Sequence, residues 1–287
     1  MFSLRTAAFR PQSSVFRVVA AAVAAAGIMV GTMLTPAEAD AAMQPHPVKN
    51  DPFSQLSAGK GGTIHNRVPG NMHSSPVAPA AANAAAARGK VLVGPGTPVT
   101  YDNALICTIT AAGVDNQGNK VAVSAGHCGN VGSLVRSMDA HGVGVFGKVA
   151  QVNRSLDYSV ILLNDKAEIS SSYGPARATS QGGRMPKAGE QVCKYGIATG
   201  WSCGQTWSTA ANQATSNNQM CAAQGDSGAP VFMGGRLMGA VRGANFPPAC
   251  LTPLQGPLFA PTIIGSWQKT LDAMNAAGGV GAGFRLP

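Results

Sequence analysis

Several things are scarce in this chain, and each scarcity excludes something. Charged residues make up only 11% of its 287 residues, and despite a net charge of +9 no run of five or more basic residues occurs. That excludes a nucleic-acid-binding arm, so no nucleic-acid partner is expected. The scattered positive charge is read as solubility or weak attraction to anionic surfaces. Apart from one N-terminal run, no stretch is long and apolar enough to span a bilayer. The six cysteines contain no Cys-x-x-Cys motif and no His-rich pair accompanies them, so no metal and no cofactor is expected. Helical periodicity is missing almost throughout, which argues against a helical bundle.

What is present begins with an export signal. Arg5, Arg10 and Arg17 lead into an apolar stretch from residue 18 to about residue 34, and Ala37-Glu38-Ala39 then supplies the small-x-small pattern of a cleavage site. Residues 1–39 are read as a signal peptide. An uncleaved anchor is the rival, and only in that case is a membrane expected as a partner. Over residues 40–90, Pro45, Pro47, Pro52, Pro69, Pro76 and Pro79 interrupt a segment rich in Ala, Asn, Ser and Gly that keeps no apolar period. It reads as a disordered linker or a pro-segment, with His46, His65 and His73 as solvated loop residues. Arg88-Gly-Lys90 closes it with an accessible cleavage point.

Residues 91–287 have the texture of one β-rich domain. Thirty-six glycines and nineteen prolines in the chain mean many turns, and frequent Val and Thr favour strands, so the fold class is all-β. Candidate strands are 104–110, 120–124, 143–152, 158–163, 191–195, 205–208, 230–232 and 237–241. Turn signals such as Asp115-Asn-Gln-Gly118 and Gly234-Gly235 separate them. Short strands without intervening helices make a barrel or a sandwich. Only 264–276, with Trp267, Leu271 and Met274 spaced by four and three, reads as an amphipathic helix closing the domain. Cys107, Cys128, Cys193, Cys203, Cys221 and Cys250 all fall in this domain. An even number in an exported chain implies disulfides, and spacing alone leaves fifteen pairings open.

The chemistry centres on Cys221-Ala-Ala-Gln-Gly-Asp-Ser-Gly-Ala-Pro230. There Ser227 stands among small, turn-forming residues that suit converging backbone N–H groups and an accessible hydroxyl. A serine nucleophile needs a base, and the base an orienting carboxylate. His127 and His141 are the histidines of the β-rich region. His127 follows an apolar strand and adjoins a cysteine able to pin its loop, whereas His141 sits in a polar turn. Asp157 directly precedes the apolar run 158–163, where a carboxylate is held rigidly and partly desolvated. Asp115, Asp139 and Asp165 lie in turns, where exposure is the default.

Ser-Ala-Gly-His-Cys128, Leu-Asp-Tyr-Ser-Val-Ile161 and Gly-Asp-Ser-Gly-Ala-Pro230 occur in the chain order His, Asp, Ser. This resembles the chymotrypsin-like (trypsin-fold) serine peptidases. Val192-Cys-Lys-Tyr-Gly-Ile-Ala-Thr-Gly-Trp-Ser-Cys-Gly204 is similar to their bacterial streptogrisin or α-lytic branch. The resemblance implies two six-stranded β-barrels with the active site between them, and disulfides Cys107–Cys128, Cys193–Cys203 and Cys221–Cys250. It implies His127 as general base and then acid, Asp157 as its orienting partner, and Ser227 as nucleophile. It further implies that the N–H groups of Gly225 and Ser227 form the oxyanion hole; one such donor is typically worth about 3–4 kcal/mol in the transition state.

On this resemblance the protein is an exported serine endopeptidase acting on protein or peptide substrates, monomeric, and secreted or held in the cell envelope. Asn217-Asn-Gln-Met220 lacks the aspartate that selects Arg or Lys, so a small or apolar P1 residue is expected. Asp226 is expected to pair with Lys194 or with an amine freed at Val91. Two departures stand out: Ala229 replaces a glycine, and Arg242 occupies the position of a serine near the catalytic aspartate. Arg242 supports the rival reading, a catalytically weak binding module on the same fold.

Overall fold

The computed structural model describes residues 48–287; the signal expected at 1–39, residues 40–47 and His46 lie outside the described residues. The first described stretch departs from expectation. β1 (Val48–Lys49) and β2 (Ile64–His65) pair antiparallel around α1 (Pro52–Ser57). Asp51 starts α1 by accepting the Ser54 N–H at 2.9 Å, with Pro52 in the first turn, where its missing N–H costs nothing. Further on, α2 (Ala80–Ala87) is an alanine helix that buries Ala82 and Ala85. From Val48 onward the expected linker is therefore an ordered strap. Its apolar residues keep no period because each serves a separate docking point: Ile64, Val68, Ala78, Ala82 and Ala85 are all buried. Arg67 adds an ion pair to Asp139 at 2.5 Å, the two side chains being 1% and 2% exposed. Asp139 is thus no surface turn residue, and Asp115 is also buried, accepting N–H groups of Gln117, Asn119 and Gly281.

β3 (Val91–Val93) leads into the first barrel: β4 (Pro98–Tyr101), β5 (Leu105–Thr108), β6 (Ala111–Val114), β7 (Lys120–Ala125), β8 (Leu134–Ser137), β9 (Val145–Asn153) and β10 (Tyr158–Leu163). The hydrogen-bonded order is β5-β4-β8-β9-β10-β7-β6. β5 and β6 are halves of one bent run, so six strands close on themselves at the bend, where the Thr110 N–H donates to the Val123 carbonyl at 2.7 Å. β11 (Ala167–Ile169) pairs in parallel with β3, and β12 (Ser172–Tyr173) with β13 (Ala176–Arg177) makes a hairpin in the connection. The second sheet holds β14 (Ser180–Gln181), β15 (Gln191–Gly196), β16 (Gly200–Thr209), β17 (Thr215–Asn218), β18 (Pro230–Met233), β19 (Arg236–Ala244) and β20 (Thr262–Ser266). Its order is β14-β19-β18-β15-β16-β17-β20, and β19 also pairs with β20, closing six strands with β14 appended.

Each barrel has its own core, and a third cluster joins them. Val121, Val123 and Val160 of the first barrel meet Phe232 and Leu237 of the second and Trp267 and Met274 of α3 (Trp267–Ala277). The helix starts later than its periodicity predicts. Thr262–Ser266 is the strand that closes the barrel, and Ser266 caps the helix by accepting the Lys269 N–H.

Candidate active site

The histidine, aspartate and serine singled out in the sequence meet in the cleft between the barrels. His127 lies in a single 3-10 turn, Gly126–Cys128, at the end of β7. The Cys107–Cys128 disulfide ties this turn to β5. Arg154 braces it from below, donating to the Gly126 carbonyl at 2.6 Å and the Gly129 carbonyl at 3.1 Å. Asp157 stands immediately before β10 with φ +49°, a left-handed backbone that aspartate tolerates better than most residues. Its carboxylate accepts the His127 backbone N–H at 2.9 Å and lies 2.9 and 3.0 Å from His127 Nδ1. His127 Nε2 lies 2.8 Å from Ser227 Oγ. Burial pushes the Asp157 carboxyl up, but the His127 hydrogen bonds and charge and the Arg242 charge outweigh it, holding the group below the usual carboxylate range. Asp157 is therefore an acceptor, which fixes the proton of a neutral His127 on Nδ1 and leaves Nε2 free to accept from Ser227.

The loop bearing Ser227 is held from both barrels. Thr108 donates its N–H to the Ser227 carbonyl and its hydroxyl to the Gly225 carbonyl, both at 2.9 Å. The Gly228 N–H donates to the Val241 carbonyl of β19 at 2.8 Å. Gly225 has φ +98°, a region in which a side chain would be strained. Among the described residues, the Gly225 and Ser227 N–H groups have no acceptor, so both donors are free for a ligand oxygen.

Beneath the loop, Asp226 and Lys194 form an ion pair at 2.9 Å with both side chains fully buried. Asp226 also accepts from Ala198 N at 2.8 Å, Ala223 N at 3.1 Å and the Thr199 hydroxyl at 2.7 Å. Lys194 donates further to the Gly200 carbonyl and to Thr199 Oγ1. Burial pushes the Lys194 ammonium pKa down, against the pull of Asp226. Of the two partners expected for Asp226, the structure has Lys194. The backbone of Val91 is instead committed to β3, its N–H donating to the Lys166 carbonyl.

Arg242 lies where β19 bulges past β20, between Val241 and Gly243. Its guanidinium runs across Gly265, with one terminal nitrogen buried and unpartnered. With Asp157 it lines a cavity of about 10 Å³, room for about one water. Burial pushes its pKa down, and the Asp157 charge raises it.

The cysteines pair Cys107–Cys128, Cys193–Cys203 and Cys221–Cys250. His73 Nε2 lies 3.6 and 3.7 Å from the sulfurs of the last pair, packed on a disulfide and not beside free thiolates. It is partly buried, not a solvated loop histidine, whereas His141 is exposed as expected. Sequence reading did not find Arg154, Thr108 or Thr199. Arg154 lies three residues before Asp157 and Thr199 lies within the 192–204 segment that carries the bacterial-branch resemblance, whereas Thr108 carries no signal beyond its neighbour Cys107.

Comparison with known proteins agrees with this fold. The Trypsin family model matches residues 99–254. An uncharacterized Mycobacterium tuberculosis protein is 32% identical over 161 residues, covering 52% of this chain and 71% of its own. Streptogrisin-C of Streptomyces griseus is 26% identical over 131 residues, 42% of this chain and 29% of its own. Among solved structures, Thermobifida fusca protease A superposes with a TM-score of 0.52 at 20% identity, and Nocardiopsis protease with 0.51 at 23%. Each alignment covers 64% of this chain and 97% of the other.

Proposed function

The chain belongs to the trypsin family, whose members are mostly serine peptidases, and from that premise we propose that it is an exported serine endopeptidase using His127, Asp157 and Ser227. His127 Nε2 takes the Ser227 proton as Oγ adds to the scissile carbonyl. The developing oxyanion accepts from the N–H groups of Gly225 and Ser227. Asp157 stabilises the imidazolium, which then gives its proton to the departing amine as the C–N bond breaks. Water enters by the same route in reverse and releases the acyl group from Ser227.

The observation that carries this reading is the unbroken chain of contacts from Asp157 through His127 to Ser227, at 2.9 and 2.8 Å, beside two unclaimed N–H donors. Pairing of Cys107, Cys128, Cys193, Cys203, Cys221 and Cys250 into three disulfides supports an oxidising compartment and so export. Among the described residues no helix is long and apolar enough to cross a membrane. The substrate is a protein or peptide with a small or apolar P1 residue, because Asn217-Asn-Gln-Met220 offers no carboxylate ahead of Cys221. The 91–287 stretch is the peptidase domain, and 40–90 is the linker or pro-segment that precedes it.

A specific feature favours a second reading. The guanidinium of Arg242, with one terminal nitrogen buried and unpartnered and its charge felt by Asp157, suits a catalytically weak trypsin-fold protein that serves as a binding module. A fluorophosphonate probe separates the two. Covalent labelling at Ser227 that disappears in Ser227→Ala and falls steeply in His127→Ala supports the peptidase. Folded protein that takes no label overturns it in favour of the binding module.

A further inference from the structure

The strap ends its approach to the domain beside the candidate oxyanion hole. Val68-Pro69-Gly70-Asn71 is a tight turn, closed by the Asn71 N–H donating to the Val68 carbonyl at 3.2 Å. Pro69 presets the second position, and Gly70, at φ +75°, takes the third, which makes this a type II turn. The turn is anchored on three sides. Arg67 is paired with Asp139, Asn71 Nδ2 donates to the Ala198 carbonyl, and the Met72 N–H donates to the Leu251 carbonyl at 3.0 Å. The anchored turn sets Val68, 2% exposed, in a cluster with Met138, Ile197 and Ala198, against which Ile106 and Ala223 pack. A Cβ built on Gly225 would meet Val68 Cγ2 at 3.2 Å and Cγ1 at 3.3 Å. Val68 therefore packs, together with Ile197, directly against the Cα of Gly225, the residue whose N–H is proposed to hold the substrate oxygen.

Which side of the scissile bond this is follows from the proton path. His127 delivers its proton to the leaving amine, so the leaving group lies on the His127 side of Ser227. The floor of that side is β5, which bears Cys107, bonded to Cys128 beside His127. The same strand bears Ile106, which packs on the Val68 cluster. The acyl portion of the substrate lies the other way, toward Cys221–Cys250 and β19. His127 remains open, with its side chain 46% exposed, so the obstruction is confined to residues beyond the first on the leaving-group side.

We propose that the strap truncates the leaving-group side of the cleft at Val68, so that with the strap docked the enzyme turns over substrates with short leaving groups and acts on extended peptides only when the strap is displaced. This rests on the serine peptidase reading. It gives residues 64–76 a definite role as a built-in selector for leaving-group length, held down by the buried Arg67–Asp139 pair.

The test compares two substrates with the same acyl sequence on the disulfide-intact protein. One carries a p-nitroanilide, and the other is an internally quenched peptide extending three residues past the scissile bond. In the parent protein kcat/KM favours the anilide relative to an open-cleft serine peptidase assayed alongside. Val68→Ala raises the peptide-to-anilide ratio by about tenfold, the scale of a small steric contact in a closed pocket, and Val68→Phe does not raise it. Thermal melts confirm that both variants fold. A ratio unchanged in folded Val68→Ala, or a parent ratio equal to that of the open-cleft enzyme, overturns the proposal while leaving fluorophosphonate labelling intact. A folded protein that neither labels nor hydrolyses either substrate overturns the peptidase reading and this proposal together.

Discussion

Replacing Lys194 with methionine removes one charge from beneath the nucleophile loop while keeping most of the side-chain volume. Asp226 is then left fully buried without its counter-ion. Removing one partner of a buried pair costs about 3–5 kcal/mol. The lower end applies here, because Asp226 keeps the N–H groups of Ala198 and Ala223 and the Thr199 hydroxyl. For a domain of this size about 3 kcal/mol corresponds to a fall in Tm of about 6–12 °C. The loss also reaches the chemistry, since Asp226 lies between Gly225 and Ser227 and a misplacement of about 1 Å at a reacting group costs about 100-fold in rate. Asp226→Asn should be at least as damaging, because it strands the Lys194 ammonium where burial already opposes its charge. The assays are calorimetry and the rate of fluorophosphonate labelling at Ser227. Lys194→Met melting within about 2 °C of the parent and labelling at the parent rate would refute the assignment of this pair as the loop's support.

Two further outcomes follow from buried groups elsewhere. Arg242→Ser removes a desolvated guanidinium beside Asp157, so its kcat/KM should rise, by up to about tenfold if about 1.4 kcal/mol of interaction with the developing imidazolium is restored; a fall in kcat/KM would mean that Arg242 assists the site. All four tyrosines are held above the ordinary phenol range, chiefly by burial, Tyr101 and Tyr195 at about 12. The stability this contributes is complete below the unfolded phenol pKa and is lost as pH rises through the folded values. Phenolate absorbance at pH 10 should therefore be lower in folded protein than after unfolding in urea at the same pH; equal absorbance in the two states would contradict the burial.

The site was more legible in the sequence than its surroundings. His127, Asp157 and Ser227 announce themselves because each needs a local context that leaves a mark: a pinned turn after a strand, a carboxylate at a strand mouth, a glycine-rich loop. Apolar strands such as Tyr158–Leu163 were read correctly for the same reason. Thr215–Asn218 and Ala111–Val114 were not, because one is polar and the other small, and each is a strand only through its barrel neighbours. The strap shows the limit most clearly. Nothing in the composition of residues 48–79 foretells order, since Arg67 and Asp139 are 72 positions apart and only the assembled barrel supplies the partner. The depth of Asp115 was hidden likewise: Asp-Asn-Gln-Gly does make a turn, but Gly281 of the C-terminal segment covers it.

The central claim is that Ser227 is a nucleophile activated by His127 and Asp157. Mass spectrometry of the intact protein after a fluorophosphonate probe tests it most directly. The account predicts one adduct per chain, mapped to Ser227, absent from Ser227→Ala and strongly reduced in His127→Ala and Asp157→Asn. A folded, disulfide-intact protein that stays unmodified, or an adduct that persists when Ser227 is replaced, would contradict it.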